Sequence, residues 1–346
     1  MAIHRKQAVY DIIQQNPLLY TFYRTGSVTY QGGTEVRVPV VLQETVNTSE
    51  IGTYETFATT PENGPETARY PNWFKRRASI VFDETELGQN EGKHKLLDLL
   101  QTKKQIMQIS LANEIEAGLH NGNAGAANVF DGLIADALFT SGFIQFRTEA
   151  TQAGTTGGLD RAVYSKWRNK YQEISAFSVD GMTSWLELYM ECSEQGTHPN
   201  LIVTDPAVYR FYDRYVSPNQ QRRDKAMWDA GFENVLFRGT PVVPDPELAG
   251  TGRSLFLTMN GKRMVDDFNM KPEHFSKPGK NPLARSTGAG IGLQLAILRK
   301  DDFRMTPFRY PANSDTLLQH TFFTSMLCCS SLARQGASTF SGTVQY

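Results

Sequence analysis

Cysteine is scarce: Cys192, Cys328 and Cys329 are the three thiols in 346 residues. Cys328 and Cys329 are sequence neighbours and poorly placed to bond each other. Three cysteines make no disulfide framework, so stability has to come from packing, and a reducing compartment is expected. Surplus charge is missing as well. The 35 basic and 36 acidic residues leave a formal net charge of −1. Proteins dedicated to nucleic acid usually carry a basic excess that neutralises phosphates, so any contact with nucleic acid must be weak or local. No run of 18 apolar residues occurs, so no helical membrane span is expected. The basic stretch 1–6 leads into the polar-interrupted 8–15 rather than an apolar core, so no secretory leader is expected either. The sequon Asn47-Thr48-Ser49 is then fortuitous.

The common catalytic signatures are also lacking. There is no His-Glu-x-x-His or Cys-x-x-Cys metal motif, no Gly-x-Ser-x-Gly elbow and no Gly-x-x-x-x-Gly-Lys-Ser/Thr loop. Gly288-Ala289-Gly290-Ile291-Gly292 is glycine-rich but runs into a strand-like segment. A phosphate cradle needs a helix N-terminus there, so this reads as a bend. The pairs Asp266-Asp267 and Asp301-Asp302 read as turn or ion-pair residues, and the six histidines are scattered. No catalytic residue, cofactor or metal is expected, and the chain is not read as an enzyme.

What is present is 40% hydrophobic and 21% charged sequence, enough for a sizeable core and long enough for two domains. Val9, Ile12 and Ile13 share a helical face, and Asn16-Pro17 is expected to end that helix. Val36, Val38, Val40 and Leu42 alternate with Glu35, Arg37 and Pro39, as do Ala78, Ile80 and Phe82 further on, which is strand periodicity. Pro39 cannot donate to a ladder and points to an edge strand or bulge. Between the two runs, residues 43–77 are polar and turn-rich. A loop this long is usually functional, and a projecting two-stranded arm needs a surface to lie on. Trp73 and Phe74 beside Lys75, Arg76 and Arg77 suit an interface better than a nucleic-acid clamp, given the neutral charge.

A long helix follows. Asn90 and Glu91 suit its start, and Gly122 and Gly125 its end. Leu96, Leu99, Leu100, Ile106, Met107, Leu111, Ile115 and Leu119 recur at helical spacing over about 45 Å, at 1.5 Å per residue. The Gly/Thr-rich stretch 150–158 reads as an exposed loop. After Ser178 short helices and strands alternate. Met182, Trp185, Leu186, Tyr189 and Met190 form one helical face. Residues 201–204 are a buried strand, and Asp205-Pro206 opens a helix that buries Tyr209, Tyr212 and Val216. Residues 235–243 read as a hairpin turning at Arg238-Gly239. Residues 255–259, 291–298 and 316–332 read as further strands, the last returning beside the long helix.

The succession resembles tailed-phage major capsid proteins of the Hong Kong 97-type fold, over roughly residues 29–332. Gly32-Gly33 followed by Glu35-Val36-Arg37-Val38-Pro39-Val40 is similar to the strand entering that family's extended loop. Asn90-Glu91-Gly92 with Lys103-Lys104 resembles the start of its spine helix. Gly157-Gly158-Leu159-Asp160-Arg161 with Trp167-Arg168-Asn169 resembles a stretch that many members carry. Phe237-Arg238-Gly239-Thr240-Pro241-Val242-Val243-Pro244-Asp245 looks like the axial-domain hairpin.

The resemblance implies an α+β capsid fold: an N-terminal arm (1–29), an extended β-hairpin loop (30–88), a peripheral domain with the spine helix (89–177 and 314–346) and an axial α+β domain (178–313). It implies self-assembly into hexamers and pentamers of an icosahedral head enclosing double-stranded DNA. The implied partners are a scaffolding protein, a portal, a decoration protein and weakly held packaged DNA, with no membrane; assembly would take place in the bacterial host cytoplasm. A nanocompartment shell of the encapsulin kind is the near alternative, and an oligomeric α+β enzyme a distant one. Inter-subunit contacts are expected from Glu35, Arg37, Trp73, Phe74, Arg76, Arg77 and Glu86. Lys75 is expected to be a solvated charge rather than a cross-linking residue.

Overall fold

The computed structural model describes residues 16–29, 34–40, 42, 66–71, 73–83, 93–121, 132–135, 142–193, 197–216, 222–259, 296–311 and 316–342. The helix expected over 8–15, Asn90, Glu91, the Gly122 and Gly125 end signals, Asp266-Asp267 and residues 288–292 lie outside these.

Helix α1 (Pro17–Thr21) opens the described chain. Asn16-Pro17 begins a helix here instead of only ending one, because the fixed φ of proline suits the first helical position and its missing N–H costs nothing there. Strands β1 (Ser27–Thr29) and β2 (Val36–Val40) follow, then β3 (Glu66–Tyr70) and β4 (Phe74–Asp83). Next comes α2 (Lys93–Asn121), 29 residues, or about 43 Å at 1.5 Å per residue. Short strands β5 (Ile134–Ala135) and β6 (Ile144–Gln145) pair with each other, as do β7 (Thr155–Thr156) and β8 (Leu159–Asp160). The second half contains β9 (Lys170–Ile174), α3 (Met182–Glu191), β10 (Leu201–Thr204), α4 (Pro206–Tyr215), β11 (Val235–Phe237), β12 (Thr240–Pro244) and β13 (Arg253–Leu257). It closes with β14 (Ala296–Met305), β15 (Thr316–Cys328) and β16 (Gly336–Phe340).

One six-stranded sheet runs β11-β12-β10-β13-β16-β9. Its side-chain alternation divides two cores. Ile202, Val242 and Phe256 point to one side, where they meet Trp185, Leu188 and Tyr189 of α3 and Tyr209 and Tyr212 of α4. Leu201, Val203, Val243, Leu255 and Leu257 point to the other, into a larger core shared with Leu111, Ile115 and Leu119 of α2. Asp205 caps α4 by accepting the Ala207 N–H at 2.8 Å, with Pro206 in the first turn. The β11–β12 turn places Arg238 and Gly239 at φ 49° and 90°, the mirror-image turn that matches strand twist. Strand β9 at the sheet edge and its neighbour β16 lie outside the span 178–313. They pair in parallel, joining residues 166 apart, as in Lys170 with Gly336.

A four-stranded sheet runs β1-β14-β15-β4. Along β4, Phe74, Ile80 and Phe82 are buried while Lys75, Arg77, Ser79, Val81 and Asp83 are exposed. The inner row packs on α2 through Met107, with Lys103 and Lys104 laid over the Phe82 and Phe308 rings at 4.7 and 5.6 Å. The long strand near residue 316 thus returns beside the spine helix through β4, as expected. On α2 the buried stripe is Met107, Leu111, Ala112, Ile115 and Leu119; Ile106 is 59% exposed, one residue off it. On α3 Leu188 is buried instead of Met182 or Met190, which face outward. A five-residue face read at 3.6 spacing cannot tell stripe from flank.

Candidate assembly surfaces and buried polar nodes

Strands β2 and β3 form a two-stranded ribbon at the two ends of the segment expected to be an arm, joined in antiparallel register from Val36–Tyr70 to Val40–Glu66. Val36, Val38, Val40, Ala68 and Tyr70 are buried, so the ribbon is rooted in the body. Pro39 sits on a strand with no partner besides β3 among the described residues, where a missing donor does no harm. Arg37 is exposed and its guanidinium is bound by Glu35, just before the strand.

Trp73 is half-buried against the core and Phe74 is 1% exposed within it, so both rings pack at the root of the arm. Arg76 lies over the Phe74 ring at 5.0 Å and 3.8 Å from Glu114 of α2. Arg77 and Lys75 stand on the outward face of β4. Glu86 lies outside the described residues. The six described positions among those expected at contacts divide into the rooted rings of Trp73 and Phe74, the Glu35–Arg37 pair, Arg76 beside Glu114, and the outward-facing Arg77.

Behind the ribbon is a buried guanidinium. Arg161 donates to the carbonyls of Gly142 (2.6 Å) and Phe143 (2.8 Å), to Thr156 Oγ1 (3.0 Å), and to Gln152 Oε1 and Asn169 Oδ1 (3.3 and 3.2 Å). All acceptors are neutral, and burial lowers its pKa to about 10, which still leaves it charged near neutrality. Trp167 donates its indole N–H to Thr156 O, and Asn169 ties the loop to Gln145. Gly157 at φ 60° lets the β7–β8 turn form, and a Cβ there would stand 3.1 Å from the Tyr70 ring. Arg69 N–H donates to Gly157 O at 2.7 Å, and Tyr70 hydroxyl to Cys329 O. The stretch 157–169 is thus a brace between the arm root and the body. In sequence Arg161 stood out only within the stretch that carries the resemblance, and nothing local marked its guanidinium as buried. The expected exposed loop at 150–158 is exposed only in part, since Gln152 and Thr156 are buried.

A second node joins three segments. Glu116 and His120 lie one turn apart on α2, and Asp245 follows β12; all are at most 2% exposed. His120 Nε2 stands 3.0 Å from Asp245 Oδ2 and 4.0 Å from Glu116 Oε1. The Glu116 carboxylate accepts the Leu18 and Leu19 N–H groups of α1 at 3.2 and 3.0 Å. Burial first, and then the Asp245 charge, push the Glu116 carboxyl well above the ordinary carboxylate range. Sequence reading missed this node, because its members are 125 residues apart and each His reads as scattered.

Around α3 and α4 three apolar side chains are exposed, Val179 (80%), Met182 (39%) and Tyr215 (49%), with the Tyr215 ring 6.1 Å from Phe177.

No family model and no curated protein matches the chain. Solved structures do. The capsid asymmetric unit of cyanophage A-1(L) is similar over 95% of this chain and 93% of that one, at 15% identity and a TM-score of 0.61. The capsid of Myoviridae phage XM1 is similar over 92% and 91%, at 10% identity and 0.54. The SrpI encapsulin of Synechococcus elongatus is similar over 94% and 88%, at 11% identity and 0.52. The fold is therefore the α+β Hong Kong 97-type capsid fold, shared along nearly the whole chain.

Proposed function

We propose that the chain is the major capsid protein of a tailed phage, assembling as hexamers and pentamers into an icosahedral head around double-stranded DNA. The observation that carries this is the end-to-end likeness to the cyanophage A-1(L) capsid subunit, 95% of one chain against 93% of the other. A shared fold alone does not fix function. Here the fold's features also suit a shell: an arm rooted by buried residues, and exposed apolar groups on the axial half. Many modest contacts per subunit, repeated by symmetry, make a closed shell stable.

In this reading Val179, Met182 and Tyr215 meet ring neighbours, and Arg77 and Lys75 meet acidic groups of an adjacent subunit. Glu35, Arg37, Arg76 and Glu86 are further candidate contacts, and the rings of Trp73 and Phe74 hold the arm's root. The proposed division keeps the spans read from sequence, except that β9 and β16 join the axial sheet. A scaffolding protein, a portal and a decoration protein are the further partners, with assembly in the host cytoplasm. The chain acts through association and is not an enzyme.

The encapsulin likeness makes a cargo-holding shell the competing reading. Particles purified from cells carrying the native gene neighbourhood separate the two. Nuclease-protected double-stranded DNA of uniform length inside the particles supports the phage head. A packaged folded enzyme with no protected DNA supports the nanocompartment.

A further inference from the structure

The Glu116–His120–Asp245 node has more negative charge than its surroundings answer. Two carboxylates face one imidazole in a place closed to water, all at most 2% exposed. The nearby Glu247 adds a further unfavourable charge to Glu116. Backbone N–H groups of Leu18, Leu19 and Glu247 are the other partners of these carboxylates, and they are dipoles, not charges. The three ligand-capable atoms already lie within 4.8 Å of one another.

We propose that Glu116, His120 and Asp245 form a binding site for a divalent cation of the zinc or manganese class. One imidazole with two carboxylates is a donor set that such ions take. Zinc bonds of about 2.0–2.2 Å in a tetrahedron set neighbouring ligand atoms ~3.3 Å apart. His120 Nε2 to Asp245 Oδ2 need open only slightly from 3.0 Å, and Nε2 to Glu116 Oε1 close from 4.0 Å. The two carboxylate charges then balance the cation. Glu116 holds the start of α1 and Asp245 the end of β12, so the ion cross-braces the first described segment, the spine helix and the axial sheet.

The test is zinc loading of the purified full chain. The protein is dialysed against Zn²⁺, freed of excess metal, and assayed for metal by mass spectrometry and for ligand type by X-ray absorption. The expected result is one zinc per chain with a nitrogen and oxygen shell. Asp245→Asn and His120→Gln each then weaken binding about 10–100-fold. Wild-type protein that retains no zinc overturns the proposal. So does a sulfur-containing shell, which would point to the buried thiols, or full retention by both variants. Should either variant fail to fold, wild-type stoichiometry and ligand type decide alone.

Discussion

Trp185 is the centre of the aromatic core between the six-stranded sheet and helices α3 and α4, and its removal gives the sharpest test of that packing. The side chain is fully buried, with the rings of Tyr212, Phe177, Phe256 and Phe237 at 5.1, 5.4, 5.6 and 5.7 Å, three of them edge-on. A tryptophan buries about 200 Å². At ~25 cal/mol per Å² that is about 5 kcal/mol, an upper bound because the unfolded chain is already partly collapsed. Truncation leaves a cavity walled by stiff rings that cannot close over it. Trp185→Ala should therefore destabilise the unassembled subunit by about 4 kcal/mol, within the range for such truncations. Trp185→Phe keeps a ring in place. It also removes an indole N–H that is buried with no hydrogen-bond partner, so its cost should stay near 1 kcal/mol. Urea denaturation followed by circular dichroism reads both. A loss below about 1.5 kcal/mol for Trp185→Ala, or equal losses for the two variants, would refute the reasoning.

Three further outcomes follow from the same structure. Arg161→Lys keeps the charge but loses the fork that reaches five acceptor groups, and should cost about 2–4 kcal/mol by the same denaturation assay. Burial pushes the Cys329 thiol up to about 12 and Cys328 in the same direction. At pH 8 the Cys329 thiolate fraction is then about 1 in 10⁴, so iodoacetamide should label none of the three buried cysteines in native protein and all three in guanidinium. Lys75→Glu with Arg77→Glu should leave subunit stability within about 0.5 kcal/mol while lowering particle yield, since both side chains face outward. Light scattering of the assembly reaction reads the yield, and an unchanged yield removes these residues from the contact.

Local signals made the elements with strong periodicity legible. The alternation in residues 36–40 and 78–82, the Asp205-Pro206 helix start and the Arg238-Gly239 turn each reflect a rule acting within a few residues, and each element stands where expected. Finer placement depended on tertiary packing. Ile106 sits one position off the buried stripe, and Leu188 displaced Met190 from the core. Pairings across the chain left no trace in sequence. The union of β9 with β16, and of Asp245 with His120, brings together segments whose composition is unremarkable on its own. Of the expected contact residues, Arg37 and Arg76 have intrachain acidic neighbours, and Phe74 is buried. A charge beside an aromatic reads the same in sequence whether it faces a neighbour or its own strand.

Assembly is the property on which everything else rests. The most direct measurement is particle mass by light scattering, with electron micrographs of the same peak, for the chain expressed alone and with any neighbouring scaffold gene. Closed shells, or rings of five and six, in either condition are the predicted result. A small closed dimer or tetramer in both conditions would contradict it.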